Sequence, residues 1–135
     1  MIAVTERANS SEIKSAKDLI VYQKAYALAL RAFDVSKRWP SEEKFGLVSQ
    51  IRRSSRSVCL NLREAWAKRR YEAHFIMKLT DCAGENAETD SSLDFAKDHG
   101  FITTDEHFTL TSLNDEVGKM LTSMILHPEK FLLKL

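Results

Sequence analysis

Leu19-Ile20-Val21-Tyr22-Gln23-Lys24-Ala25-Tyr26-Ala27-Leu28-Ala29-Leu30-Arg31-Ala32-Phe33-Asp34-Val35-Ser36-Lys37-Arg38-Trp39-Pro40 carries two interleaved apolar seams. Leu19, Tyr22, Tyr26, Ala29 and Phe33 form one, and Val21, Ala25, Leu28, Ala32, Val35 and Trp39 form the other. Both advance in steps of three and four, the spacing of one face of an α-helix. A helix with two apolar seams must meet neighbours on two sides. Pro40 ends it, because proline lacks the amide donor and disfavours helical geometry at the residue before it.

Working outward, three more helices follow. Ser41 reads as an N-cap, with Glu42 and Glu43 at the positive end of the dipole. The second seam is Val48, Ile51, Ser55, Val58, Leu62 and Ala65. Lys68-Arg69-Arg70-Tyr71 contains neither glycine nor proline, so the boundary to the third helix is unmarked. The third seam, Phe75, Leu79, Cys82, Asn86, Thr89, Leu93 and Ala96, is unusually polar at its centre, and Gly100 supplies a stop. Thr103-Thr104-Asp105-Glu106 has the spacing of a capping box, and Leu110, Leu113, Val117, Met120 and Met124 form the fourth seam before Pro128.

Short links between four helices predict an all-α, antiparallel up-down-up-down four-helix bundle. The 135 residues suffice for one core, and only 4 glycines and 2 prolines argue against a turn-rich β fold. Residues 1–15 have no apolar periodicity and are expected to form a flexible tail ahead of a domain spanning 16–135. Phe131 to Leu135 are apolar and must either pack or form an exposed patch. The chain shows no signal-peptide h-region and no apolar run of spanning length, so a cytoplasmic location without membrane contact is expected.

Chemistry is sparse. His74, His99, His107 and His127 have no ligand spacing, no Glu-x-x-His pair suits a di-iron centre, and there is no phosphate-cradling glycine loop. Cys59 and Cys82 read as buried thiols in a reducing compartment. No enzyme, metal or cofactor is expected. Glu85 and Glu88 share a helix face and read as partners for arginines on a neighbouring helix or as solvent-facing carboxylates, rather than as a pair for acid/base work or metal binding.

The charge pattern is more informative. The net charge is only +1, yet Asp81 to Glu116 holds ten carboxylates against Lys97 alone. In the second helix, at about 100° per residue, Arg52, Arg56, Arg63 and Arg70 fall in one narrow arc. Arg53, Lys68 and Arg69 surround them. Two readings stand side by side. The stripe is either a surface for RNA or DNA phosphates, or is consumed in ion pairs with helix-three carboxylates within or between subunits.

Several strings are familiar in order: Asp18-Leu19-Ile20-Val21-Tyr22-Gln23-Lys24-Ala25; Trp39-Pro40-x-Glu42; Phe45-Gly46-Leu47-x-x-Gln50-Ile51-Arg52-Arg53-Ser54; Ser57-Val58-x-x-Asn61-Leu62-x-Glu64; Phe75-Ile76-x-Lys78-Leu79; and Glu85-x-x-Glu88-Thr89. Together with Leu93 to Ile102 they resemble the bacterial four-helix-bundle family encoded by intervening sequences of large-subunit ribosomal RNA genes. That family includes the accessory variability protein of diversity-generating retroelements. The resemblance implies a cytosolic, non-enzymatic bundle that assembles with itself into a ring, typically a homopentamer. Its retroelement members contact nucleic acid and a protein partner, which makes RNA, DNA or a further protein candidate partners here.

Overall fold

The computed structural model describes residues 13–134. Four helices make up the fold: α1 (Ile20–Ser36), α2 (Leu47–Ala67), α3 (Glu72–Asp98) and α4 (Thr104–Leu126). No strand occurs among the described residues. Each helix packs on its chain neighbours, and α4 closes back on α1. The cross-helix contacts show the alternation of direction. Arg56 lies over Phe33 while Arg52 bonds Ser36, Lys78 pairs with Glu64 while Arg53 pairs with Glu85, Asn86 bonds Asn114 while Asp94 meets His107, and Lys24 pairs with Glu116 while Arg38 pairs with Glu106. In each pair of helices one number rises as the other falls, which is the antiparallel up-down-up-down order.

The second and third expected seams face inward throughout, whereas the first seam of α1 leaves Tyr26 exposed and Tyr22 and Phe33 half-buried. Phe75, Leu79, Cys82, Asn86, Thr89, Leu93 and Ala96 are all buried, as are Val48, Ile51, Ser55, Val58, Leu62 and Ala65. The core has two apolar halves. Val21, Ala25, Val58, Leu62, Phe75, Leu79, Val117 and Leu121 belong to one; Leu28, Trp39, Leu47, Ile51, Leu93, Ile102 and Leu110 belong to the other.

On α2, α3 and α4 a buried polar belt separates the halves in sequence. The Ser54 and Thr89 hydroxyls are 2.8 Å apart, and Thr89 donates to the Glu85 carbonyl at 2.9 Å. Asn86 Nδ2 donates to Asn114 Oδ1 at 2.9 Å, and Asn114 Nδ2 donates to the Asn86 carbonyl at 3.0 Å. Gly118 makes room for this amide, since a Cβ there would sit 2.9 Å from Asn86 Oδ1. Such reciprocal bonds are satisfied in one helix register and broken by a slip, so the belt fixes the α3–α4 alignment.

The ends follow local chemistry. Gly100 adopts φ +77°, and the amides of Gly100 and Phe101 donate to the Lys97 and Ala96 carbonyls, a Schellman stop. The Thr103 hydroxyl accepts from the Glu106 amide at 3.0 Å while Glu106 Oε1 accepts from the Thr103 amide at 2.9 Å. Glu106 also pairs with Arg38. The Thr103 amide, followed by Arg38, holds the Glu106 carboxyl below its ordinary range. A carboxyl with a lowered folded pKa stabilises the fold above its unfolded value of about 4.3, and that contribution disappears as pH falls through the folded pKa. Glu106→Ala should therefore cost about 1 kcal/mol at neutral pH. Paired denaturant titrations at neutral and acid pH should show the gap to wild type closing in acid.

Two boundaries differ from the sequence expectation. Ser41 does not cap the second helix; Ser41–Glu43 is a short 3-10 turn and α2 starts at Leu47. Glu43 Oε1 instead accepts from the Leu47 amide at 3.1 Å, and a Cβ on Gly46 would meet that oxygen at 2.8 Å. A carboxylate thus caps α2 across a glycine.

At the amino end, Ile13 is buried, and Asp18 Oδ2 accepts from the Lys14 and Ser15 amides, so packing begins before residue 16. The rest of the expected tail, residues 1–12, lies outside the described residues. At the other end Phe131 is buried against Phe75, with ring centroids 6.4 Å apart, while Leu133 is exposed. Leu135 lies outside the described residues. No described helix is long and apolar enough to cross a membrane.

Candidate interaction surface

The seven basic residues singled out from sequence do not form one stripe. Arg53 turns toward α3, where its guanidinium meets Glu85 at 2.8 Å and Glu88 at 2.7 Å. The hydrogen bond that it donates to Glu88, reinforced by Glu85, raises its pKa above the ordinary arginine value. Glu85 and Glu88 are therefore arginine partners, one of the two roles that their spacing left open. α2 stops at Ala67, which removes Lys68, Arg69 and Arg70 from the helical arc and places them in the turn to α3. Arg69 stacks on Trp66 at 3.9 Å and Arg70 lies over Tyr71 at 5.8 Å.

Arg52, Arg56 and Arg63 keep a common phase on α2; Arg52 and Arg56 lie against α1, and Arg63 is exposed further along the helix. Arg52 Nε donates to the Ser36 hydroxyl at 2.9 Å, and its guanidinium lies 4.3 Å from the Phe33 ring centroid. Arg56 lies 5.5 Å from the same ring. None of these three meets a carboxylate among the described residues. Arg52 and Arg56 stand at an open groove of about 450 Å³ between α1 and α2, lined chiefly by Tyr22, Tyr26, Leu30, Phe33, Arg56 and Leu60. Tyr26, Leu30 and Leu60 are 52%, 54% and 63% exposed. Three large apolar side chains so close together make a patch that an isolated bundle gains nothing by exposing. The first seam of α1 contains Tyr22, Tyr26 and Phe33, so the groove was half visible in sequence; Leu60, on α2, carried no periodic signal.

The end where α3 turns into α4 is rich in carboxylates. Asp94 and Asp98 are exposed on the last turns of α3, and Asp105 on the first turn of α4. Phe95 and Phe108, 58% and 72% exposed, sit among them. His107 Nε2 lies 2.8 Å from Asp94 Oδ1, a pair that the spacing of the histidines did not suggest. Asp90 nearby is raised by burial and by the Asp94 charge.

The thiols offer no nucleophile. Burial pushes Cys59 up to about 11 and Cys82 up to about 12, so both stay protonated at neutral pH. No group of three or more histidine, cysteine, aspartate or glutamate side chains among the described residues is placed to hold a metal ion.

The family model described as 23S rRNA-intervening sequence protein matches residues 17–123, the whole of α1 to α3 and nearly all of α4. The chain belongs to the 23S rRNA-intervening sequence protein family. A solved structure similar to this family member is that of a protein of unknown function from the S23 ribosomal protein family of Bacteroides thetaiotaomicron VPI-5482. The two are 30% identical, with a TM-score of 0.73 over 79% of this chain and 96% of that one. Among curated proteins none matches. The all-α bundle and the resemblance drawn from the sequence motifs are thus both borne out.

Proposed function

We propose that this family member is a non-enzymatic bundle that works by assembling with itself, head to tail, into a ring. The groove between α1 and α2 receives the acidic α3–α4 end of the next copy. The observation that carries this reading is the groove itself, an apolar trough beside arginines that lack a carboxylate partner among the described residues. Phe95 and Phe108, set among carboxylates, have the complementary chemistry: an aromatic anchor for the trough and negative charge for its rim. Because the two faces differ, contact between them is heterologous, and a heterologous contact that closes makes a ring.

A second reading, in which the same arginines grip RNA or DNA phosphates, is favoured by their lack of carboxylate partners. Arg56→Glu with Arg63→Glu separates the two. On the assembly reading the double variant loses mass in light scattering, because two like charges then face the neighbour's carboxylates. On the nucleic-acid reading its mass is unchanged, while affinity for a generic RNA falls and the salt dependence of binding flattens.

A further inference from the structure

Three cations gather on one aromatic ring at the edge of the groove between α1 and α2. Lys37 Nζ lies 4.9 Å from the Phe33 ring centroid, and the guanidinium carbons of Arg52 and Arg56 lie 4.3 Å and 5.5 Å from it. Like charges held this close repel one another, so the arrangement calls for compensation. The face of the ring supplies some of it by cation–π attraction.

Acids supply little more. Asp34 meets Lys37 at 3.6 Å, but Arg52 has only the neutral Ser36 hydroxyl, and among the described residues Arg56 meets the Phe33 ring and no hydrogen-bond acceptor. Two guanidinium groups therefore stand without a carboxylate beside a groove whose remaining lining is mostly apolar and aromatic. Tyr22 and Tyr26 stack along it, with centroids 6.1 Å apart and planes 25° apart, and Leu30 and Leu60 complete the lining. The volume of about 450 Å³ lies within the range of about 300–1,000 Å³ typical of small-ligand pockets.

We propose that this groove binds a small aromatic carboxylate, with its ring against Tyr22, Tyr26, Leu30 and Leu60 and its carboxylate on Arg56 and Arg52. A guanidinium fork matches the two oxygens of a carboxylate, whereas an uncharged aromatic molecule leaves both cations unanswered. As a ligand site the groove is complete within one chain. As a regulator of assembly the ligand rests on the ring proposed above: the neighbouring copy brings an aromatic ring and a carboxylate on separate residues, and a small molecule carrying both takes their place.

Calorimetric titration of the full chain with 2-naphthoate, beside the uncharged 2-naphthylmethanol, tests the site. Naphthoate should bind saturably and about tenfold more tightly than the alcohol, the advantage of a charge-assisted hydrogen bond. Arg56→Gln alters an exposed side chain that touches only the Phe33 ring, and should remove that preference. Arg31→Gln, which changes an exposed cation of α1 outside the groove, should leave it intact. In light scattering, saturating naphthoate should reduce the wild-type assembly toward the 15.4 kDa chain. A wild type that is a single chain from the outset, yet binds naphthoate through Arg56, would support the site and overturn only the ring. Binding that does not saturate, that is equal for naphthoate and the alcohol, or that is indifferent to Arg56→Gln would mean nonspecific apolar contact and would overturn the proposal, leaving the ring untouched.

Discussion

Replacing Phe75 by alanine should cost about 3–5 kcal/mol of folding stability, the range for deleting a fully buried aromatic ring. Phe75 is 0% exposed and reaches Phe131, so its loss opens a cavity and loosens the segment after α4 at once. Asn114→Ala should cost less, about 1–3 kcal/mol, because Asn86 keeps the Asn114 carbonyl as an acceptor at 3.2 Å when the side-chain partner goes. Urea unfolding of the two variants beside wild type measures both. The contrast separates the two kinds of cohesion in the core: apolar volume supplies most of the stability, and the polar belt supplies the register. An Asn114→Ala loss larger than that of Phe75→Ala would reverse that assignment.

The second large effect concerns assembly. Leu60 is 63% exposed on the α2 side of the groove, so Leu60→Glu should leave the helical content and the unfolding midpoint of the isolated bundle nearly unchanged. In the proposed ring the same glutamate would be desolvated against the carboxylates around Phe95 and Phe108 of the next copy. A buried, unpaired charge at an interface costs several kcal/mol, enough to shift association by about a thousandfold. Light scattering should then report only the 15.4 kDa chain where wild type reports a multiple of it.

The fold was legible in the sequence because helical periodicity is a strict geometric filter. Buried Asn86 and Thr89 kept the phase of the third seam even though their polarity argued against it, and the belt now explains them. Gly100 and the Thr103 box were readable because only a few residue types do those jobs. The start of α2 was not, since its cap comes from Glu43 reaching across Gly46, while Ser41 is taken up in a separate turn. Nor was the end of α2 marked: Lys68 to Tyr71 turn without any positive φ, so no glycine was required.

The candidate surface was legible only in part, and for a different reason. Helical phase put Arg52 and Arg56 together, and both lie on Phe33. It could not show that Arg53, one residue further round, comes within reach of Glu85 and Glu88, because that depends on where the next helix lies. The gathering of Lys37, Arg52 and Arg56 about Phe33 joins side chains from separate parts of the chain, a juxtaposition no local pattern records.

The head-to-tail claim is tested most directly by mixing two chains that each fail alone. Leu60→Glu disables the groove but keeps the acidic end; Phe108→Glu disables the acidic end but keeps the groove. The account predicts that each is a single chain in light scattering, and that an equimolar mixture forms a species of twice the 15.4 kDa mass, one intact groove holding one intact end and unable to grow further. A mixture in which both remain single chains, or a Phe108→Glu variant that assembles like wild type, would contradict it.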